Sequence, residues 1–375
     1  MLNILMFRRH GNERVDNSLL AVLNGLKDKY GFSVRSADPQ VSTPKEASEL
    51  LAFWRPDACI VNNDKLPADV FADYPSVFQH RTIEQGNPRH ATITFDEKVI
   101  AETAARHLLS LNLASYAYVP PRQNEQWNQT REGHFVHMLS LNGFGVASYR
   151  HPQCRLSTPK RLERLAAWIA NLPRPVGVFA ANDAIAVSVI AACDHIHLEI
   201  PWDVTLLGVD NMENICEDAN PTLSSIAPDT VAMREESFRL ISQIISGRPP
   251  ECRCLTVKPL GVVRRASTLR KGRHDPAVVA ACDMIRRHAC EGLKARDVAA
   301  TFPCGRRMAE IRFRAALGHS ILDEILSVRR AKAQMATSPI RTHLRDEIAS
   351  LCGYSSWSSV YRLLESRGPK PSFPQ

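Results

Sequence analysis

Through the first 265 residues, short apolar runs alternate with segments of helical spacing, and this alternation constrains the chain more than any other feature. Residues 3–7, 32–35, 58–61, 116–119, 176–180 and 205–209 each read as a short, buried strand. Between them lie helical patterns. Val15, Leu19, Leu20, Val22, Leu23 and Leu26 fall on one helical face over residues 15–30, which Gly31 ends. Residues 99–110 and 184–194 repeat the spacing. Strands that alternate with helices pair in parallel and are covered on both faces, so an α/β body follows. Ligands of such sheets bind beyond the carboxyl ends of the strands, which makes the polar residues after each strand the candidates for function.

Charge divides the chain differently. Lys plus Arg total 47 and Asp plus Glu 39, and residues 271–375 alone hold 18 basic and 10 acidic residues. The whole excess of +8 therefore sits in the last quarter, behind a neutral body. A basic end on a neutral body fits a module for polyanions, nucleic acid above all. A total of 375 residues leaves room for two or three domains. No run approaches the ~18 apolar residues of a membrane-spanning helix, so no membrane partner is expected. The apolar start is short and precedes Arg8 and Arg9, the reverse of a signal peptide, so the chain is expected in the cytoplasm. Ten cysteines without repeated spacing read as buried thiols of a reducing compartment.

Three places after strands stand out. Ala180-Ala181-Asn182-Asp183 opens a helix, and Asp183 is either its cap or a ligand contact. Gly208-Val209-Asp210-Asn211 is a turn-forming sequence at the next strand end. Arg131 begins a helix after a Gln/Asn-rich loop.

Together these resemble the second lobe of the LacI/GalR-type sugar-sensing domain, of the periplasmic-binding-protein fold. The Asn182-Asp183 pair, Pro201-Trp202-Asp203-Val204, Gly208-Val209-Asp210-Asn211 and Pro221-Thr222-Leu223-Ser224-Ser225-Ile226 follow that family's order and spacing. The resemblance implies a two-lobed body that takes a sugar between its lobes and dimerises. It implies sugar contacts at Arg131, four residues before Phe135, at Asp210, at Asp96 and more weakly at Asp183. Carboxylates accept from sugar hydroxyls, and a guanidinium donates in a fixed fork. Phe7, Trp54 and Trp127 are candidate aromatic lids, or plain packing residues. The family carries its DNA-binding helices at the amino terminus; here the first residues already read as a strand of the sensing domain.

Beyond a linker over residues 266–274, Asp275-Pro276 opens a helix with an acidic cap and proline in the first turn. Two units of short helix, turn and second helix follow, over residues 293–317 and 344–366, joined by a helix at 320–336. Gly305-Arg306-Arg307-Met308-Ala309-Glu310-Ile311-Arg312-Phe313, Arg329-Arg330-Ala331-Lys332-Ala333 and Ile348-Ala349 with Cys352-Gly353-Tyr354-Ser355-Ser356 resemble the AraC-type double helix-turn-helix domain, as does Gly368 with Pro371. DNA contacts are then expected from Arg306, Arg307, Met308 and Arg312 in the first unit, and from Ser355, Ser356, Ser358, Ser359 and Arg362 in the second.

The resulting division is a sensing body at 1–265, a linker at 266–274 and a DNA-binding domain at 275–375. A sensing body followed by an AraC-type tail is the order of xylose-operon activators. That resemblance implies a sugar-responsive transcription regulator, D-xylose as the small effector, operator DNA and RNA polymerase as partners, and a homodimer. No cofactor or metal is expected. An enzyme is not expected either: the His134/His137, His195/His197 and Cys252/Cys254 pairs lack a full zinc ligand set. Some positions depart from the AraC pattern. Ala309 stands in place of a core leucine, Leu364 in place of an aromatic and Glu365 in place of a base, and the segment from Arg362 to Gly368 is short. They leave open the alternative of a sugar-binding protein with a degenerate, weak DNA-binding end.

Overall fold

The computed structural model describes residues 2–8, 30–38, 40–81, 83, 86–122, 126–152, 157–248, 253–269, 275–317, 319–336 and 345–365. The helix expected at 15–30 lies outside these except at its last residue, as do most of the linker and the tail with Gly368 and Pro371. The chain divides into two compact units. One holds the described residues up to Val99 together with Pro228–Leu260; the other holds Ile100–Ala227 and the described residues from Gly261 onward.

The first unit is built on a six-stranded sheet. Its strands are β1 (Leu2–Arg8), β2 (Phe32–Ser36), β3 (Ala58–Asn62), β4 (Ser76–Gln79), β5 (His90–Phe95) and β11 (Cys254–Val257), in the order β11-β5-β4-β3-β1-β2. The pairings are parallel, with Ile4 opposite Ala58 and Val77 opposite Ala91. Continuous apolar sequence in β1 follows from burial on both faces. Ile4 and Met6 pack with Phe238 and Ile241 of the helix Thr230–Ile245, while Leu5 and Phe7 pack with Leu51, Phe71 and Phe78. Helix α1 (Pro44–Trp54) starts in a capping box. The Glu46 amide donates to Thr43 Oγ1 at 3.3 Å, and the Thr43 amide donates back to Glu46 Oε2 at 3.1 Å.

A second six-stranded sheet forms the body of the other unit. It comprises β6 (Ser115–Val119), β7 (Val146–Ser148), β8 (Val176–Ala180), β9 (Val204–Val209), β10 (Ser224–Pro228) and β12 (Pro259–Val263), in the order β12-β10-β9-β8-β6-β7. On one face, Leu165, Ala166 and Ile169 of the helix Thr158–Ala170 and Ala186, Val189 and Ile190 of the helix Asp183–His195 cover Val176, Val178, Val204 and Leu206. The expected linker starts too early. Residues Ala266–Thr268 form a buried 3-10 turn, because Ser267 donates from its hydroxyl to the Leu206 carbonyl and Thr268 pairs with Ser224. Hydroxyls that read as solvent-seeking are here satisfied inside the body.

The carboxyl-terminal helices follow the expected order, within a residue or two: Pro276–His288, Ala295–Ala299, Arg306–Leu317, Ile321–Ala336, Arg345–Leu351 and Trp357–Glu365. Asp275 caps the first of them by accepting from the Ala277 amide at 3.2 Å. Val298, Phe302, Ala309, Phe313 and Ala316 close one core over Val278, Ala281 and Ile285, and Ile348, Ala349, Cys352 and Val360 close another over Ala333. Ala309 and Leu364, two departures from the AraC pattern, both join these cores. Helix Ile321–Ala336 is the shared spine, and two of its arginines staple the bundle. Arg329 donates to the carbonyls of Ala289 and Leu293 and lies 5.2 Å from the Tyr354 ring centre, while Arg330 donates to the carbonyl of Leu363. The turn of the second unit needs Gly353, which has φ 75° and whose missing Cβ would lie 2.5 Å from the Cys290 carbonyl oxygen.

Candidate effector site and nucleic-acid interface

In the second unit the polar residues gather at the carboxyl ends of β8 and β9. Asn182, not Asp183, caps the helix Asp183–His195, accepting from the Ile185 amide at 3.0 Å. Asp183 is thereby released for another task and is buried to 0% exposure. One of its oxygens accepts from Ser225 Oγ at 2.6 Å. The other accepts from the Met212 amide at 2.9 Å and the Cys216 thiol at 3.3 Å. Burial raises the Asp183 carboxyl above its ordinary value, and these three donors lower it in part. Asp183, expected as a weaker sugar contact, has both oxygens engaged inside the protein. Gly208 makes room for it: a Cβ there would sit 2.2 Å from Asp183 Oδ1.

What Asp183 supports is the turn that carries Asp210. Asp210 and Asn211 have φ of 102° and 47°, a left-handed pair in residues that bear side chains. Such backbone persists only where surroundings over-determine it. The Asp210 amide donates to the Ile226 carbonyl at 3.1 Å, and the Asn211 amide donates to Ser225 Oγ at 3.0 Å. Asn211 Oδ1 accepts from Arg265 Nη1 at 2.9 Å. Asp210 itself is exposed.

Arg131 lies in the second turn of the helix Gln126–Leu141, which begins five residues earlier than the sequence suggests. Only 4% exposed, it donates to the carbonyl of Ala181, just beyond β8, and its guanidinium lies 4.7 Å from the centre of the Trp127 ring. Trp127 is therefore the base on which Arg131 rests, whereas Phe7 is core. Arg131, through the Ala181 carbonyl beyond β8, and Asp210, beyond the neighbouring β9, thus stand at one end of one sheet.

In the first unit Asp96 follows β5 and accepts from the Val99 amide at 3.1 Å, at the start of the helix Glu97–Leu109. Sequence reasoning missed Arg81, beyond the end of β4. Its guanidinium stands 4.7 Å from the Phe78 ring centre, and its Nε and Nη2 are buried without a hydrogen-bond partner among the described residues. Those two atoms form one edge of the guanidinium fork, the edge that grips two oxygens at once. Trp54 is an exposed residue at the far end of α1, stacked by Arg35 and beside Asn3 near the start of β1. It does not stand at a carboxyl strand end.

The helix Arg306–Leu317 presents Arg306, Arg307 and Met308 to solvent, as expected, along with Ile311, Arg314 and Ala315, which the sequence did not single out. Arg312, also expected to contact DNA, is engaged within the domain. Its Nε and Nη2 each lie 2.6 Å from a carboxylate oxygen of Asp275, a bidentate pair that ties this helix to the cap of Pro276–His288. A buried or half-buried arginine cannot be told from a base-reading one by spacing, because both demand the same fork. In the second unit Ser355, Ser358 and Arg362 are exposed, and Ser356 and Ser359 are half-buried and 3.2 Å apart. Glu365 is engaged locally by a hydrogen bond with the Tyr361 hydroxyl.

Known proteins agree with this build. Residues 105–268 match the family model of the periplasmic binding protein-like domain. The xylose operon regulatory protein of Escherichia coli K12 is 26% identical over 83% of this chain and 81% of its own length. That of Haemophilus influenzae is 25% identical over 74% and 72%. The chain is similar to these regulators over most of their length. A solved structure described as the xylose-binding transcription activator xylR shares the fold at a TM-score of 0.59 and 23% identity, covering 97% of this chain and 94% of that one. A transcriptional regulator CelR in complex with cellobiose matches at a TM-score of 0.57 and 18% identity, over 71% of this chain and 84% of that one. The match to the periplasmic binding protein-like model ends at residue 268, the last residue of the buried turn Ala266–Thr268, and the likeness of fold to the xylR structure extends over the helical tail.

Proposed function

We propose that the chain is a sugar-responsive transcription regulator of the xylose-operon type, and not an enzyme. One observation carries this reading: the likeness to the xylose operon regulatory proteins spans most of both chains, body and tail together. D-xylose is the effector, and operator DNA upstream of pentose-catabolism genes is the target. The protein acts as a homodimer in the cytoplasm and activates through RNA polymerase. Residues 275–375 read DNA, with Arg306, Arg307, Met308, Ile311 and Arg314 in one major groove and Ser355, Ser358 and Arg362 in another. Ser356 and Ser359 support the second helix. Arg312 stays with Asp275.

Arg131 and Asp210 are the effector's donor and acceptor in the second unit. Arg131 is pre-oriented by Ala181 and Trp127, and Asp210 is held out by its strained turn. A hydroxyl gives its proton to the carboxylate and takes one from the guanidinium, which a fixed donor and a fixed acceptor reward without reorganisation. In the first unit, taken by itself, Asp96 is the acceptor that the family resemblance names, and Arg81 holds Nε and Nη2 without a hydrogen-bond partner among the described residues. The alternative of a degenerate DNA-binding end gains nothing from Leu364, which packs into its core.

Fluorescence anisotropy on promoter DNA, with and without D-xylose, tests this. Tighter binding with D-xylose, and none of that gain with L-arabinose, is the expected result. Specific binding indifferent to every pentose would refute the effector assignment, and no specific binding at all would refute the regulator.

A further inference from the structure

We infer that Glu217 is the positioning residue that couples the Asp210–Asn211 turn to the first helix of the DNA-binding half. This rests on the function proposed above and extends it to a residue that touches neither the effector candidates nor the DNA-reading side chains.

Glu217 lies near the end of the short helix Glu213–Asp218. Two arginines from distant parts of the sequence converge on its carboxylate. Arg265 donates from Nε to Oε1 at 2.7 Å. Arg286, on the helix Pro276–His288, donates from Nη2 to Oε2 at 2.8 Å and from Nε to both oxygens at 3.0 and 3.1 Å. Side-chain exposure is 3% for Arg265, 12% for Arg286 and 26% for Glu217. Burial alone would raise the Glu217 carboxyl, and the hydrogen bonds from Arg286 and Arg265 outweigh it and hold it below the usual carboxylate range.

The other hand of Arg265 reaches the effector turn. Its Nη1 donates to Asn211 Oδ1 at 2.9 Å and to the Leu223 carbonyl at 2.9 Å. Its own amide donates to Ser224 Oγ at 2.7 Å. Asn211 is the residue next to Asp210 and the second of the left-handed pair. A chain of bonded groups therefore runs from the turn through Asn211, Arg265 and Glu217 to Arg286.

The chemistry of the guanidinium makes this chain stiff. Arg265 is planar, and its donors are set at fixed angles. Rotation of the turn that draws Asn211 away cannot be followed by Nη1 while Nε keeps Glu217 and the amide keeps Ser224. Either Asn211 or Glu217 is given up. Loss of Glu217 from Arg265 changes what Glu217 offers to Arg286, because the two guanidiniums share its carboxylate. The turn conformation and the seat of the helix Pro276–His288 are thus alternatives linked through one carboxylate, the kind of element that both ends can bias. Arg312 and Asp275 then carry the shift to the first reading helix, since they join Pro276–His288 to Arg306–Leu317.

The test uses the full chain and Glu217→Gln, which keeps the shape and one acceptor but removes the charge. D-xylose affinity by calorimetry is expected within threefold of the parent. DNA binding without sugar is expected to persist. The ratio of DNA Kd without and with D-xylose is expected to fall to within twofold of unity, about the loss of one coupling free energy between sites. Arg286→Lys, which keeps the charge and drops the fork, is expected to give an intermediate ratio. A parental ratio in Glu217→Gln overturns the inference. A second measurement needs no effector. Hydrogen exchange of the amides at 277–288 is compared in Asn211→Ala, Glu217→Gln and the double variant. Each single change is expected to speed exchange and the double to add nothing further. Additive effects, or no effect of Asn211→Ala, overturn the coupling even if D-xylose proves to be the wrong sugar.

Discussion

Asp183→Ala should damage the effector turn more than its distance from solvent suggests. The substitution removes the acceptor of three donors at once: Ser225 Oγ at 2.6 Å, the Met212 amide at 2.9 Å and the Cys216 thiol at 3.3 Å. A buried donor stripped of its partner costs roughly 1–3 kcal/mol, and a thiol counts for little of that. Removal of a fully buried carboxylate returns part of its desolvation cost, so the net loss expected is about 2–4 kcal/mol. Asp183→Asn separates the contributions. It keeps the volume and one acceptor, and it lifts the penalty that burial imposes on the ionised carboxyl. Its cost should stay below about 1.5 kcal/mol. Both variants are to be unfolded in urea, with circular dichroism as the probe, and titrated with D-xylose. Sugar affinity should fall at least tenfold in Asp183→Ala, because the left-handed Asp210–Asn211 pair loses Met212 as an anchor and Ser225 loses the bond that orients it. The reasoning is refuted if Asp183→Ala unfolds within about 0.5 kcal/mol of the parent, the usual range of an inert surface change, and binds sugar equally well.

Other outcomes follow from the same geometry. Arg131→Lys keeps the charge but drops the fork over Trp127, so D-xylose affinity should fall by ~1.5–3 kcal/mol, the worth of a charge-assisted hydrogen bond; calorimetry showing an unchanged Kd would remove Arg131 from the effector site. Arg307→Ala should lower the salt slope of DNA binding by roughly 0.9, whereas Arg312→Ala, which breaks the pair with Asp275, should lower thermal stability first. Gly353→Ala should destabilise the second helix-turn-helix by more than about 1–2 kcal/mol, the strain of a left-handed residue, since its Cβ also meets the Cys290 carbonyl; an unchanged urea midpoint would contradict this. The 2.6 Å hydrogen bond between His319 and Glu324 raises the pKa of His319. Stability from that pair is therefore full below the ordinary histidine pKa of about 6.5 and lost as pH rises through the raised value. Urea midpoints measured across that range should flatten in Glu324→Gln.

The strands that carry the site are legible because each is buried on both faces: Val176–Ala180 reads directly from its apolar run. The reading helix Arg306–Leu317 is equally plain, bounded by Gly305 and patterned on Ala309, Phe313 and Ala316. Helix Pro44–Trp54 escaped notice although its capping box, Thr43 to Glu46, is a sequence signal. Thr230–Ile245 escaped for a different reason. Its apolar residues belong to the core of the first unit, far from its sequence neighbours, and local pattern carries no address.

Sequence by itself settled the alternation of strands with helices in the body, the basic tail and the residue types at the strand ends, because periodicity and charge are local properties. It could not say which polar groups would be spent inside the protein. Asp183 and Asp210 stand at the ends of neighbouring strands with the same chemistry, yet one is buried under three donors and the other is exposed on a left-handed turn. Arg307 and Arg312 share one helix, yet one faces solvent and the other is clamped by Asp275. Glu217, Arg265 and Arg286 meet only because the chain returns twice to the same place. Partner choice among polar groups is a long-range outcome: a buried donor or acceptor must be satisfied by whatever the fold brings near, and only the tertiary structure decides what that is.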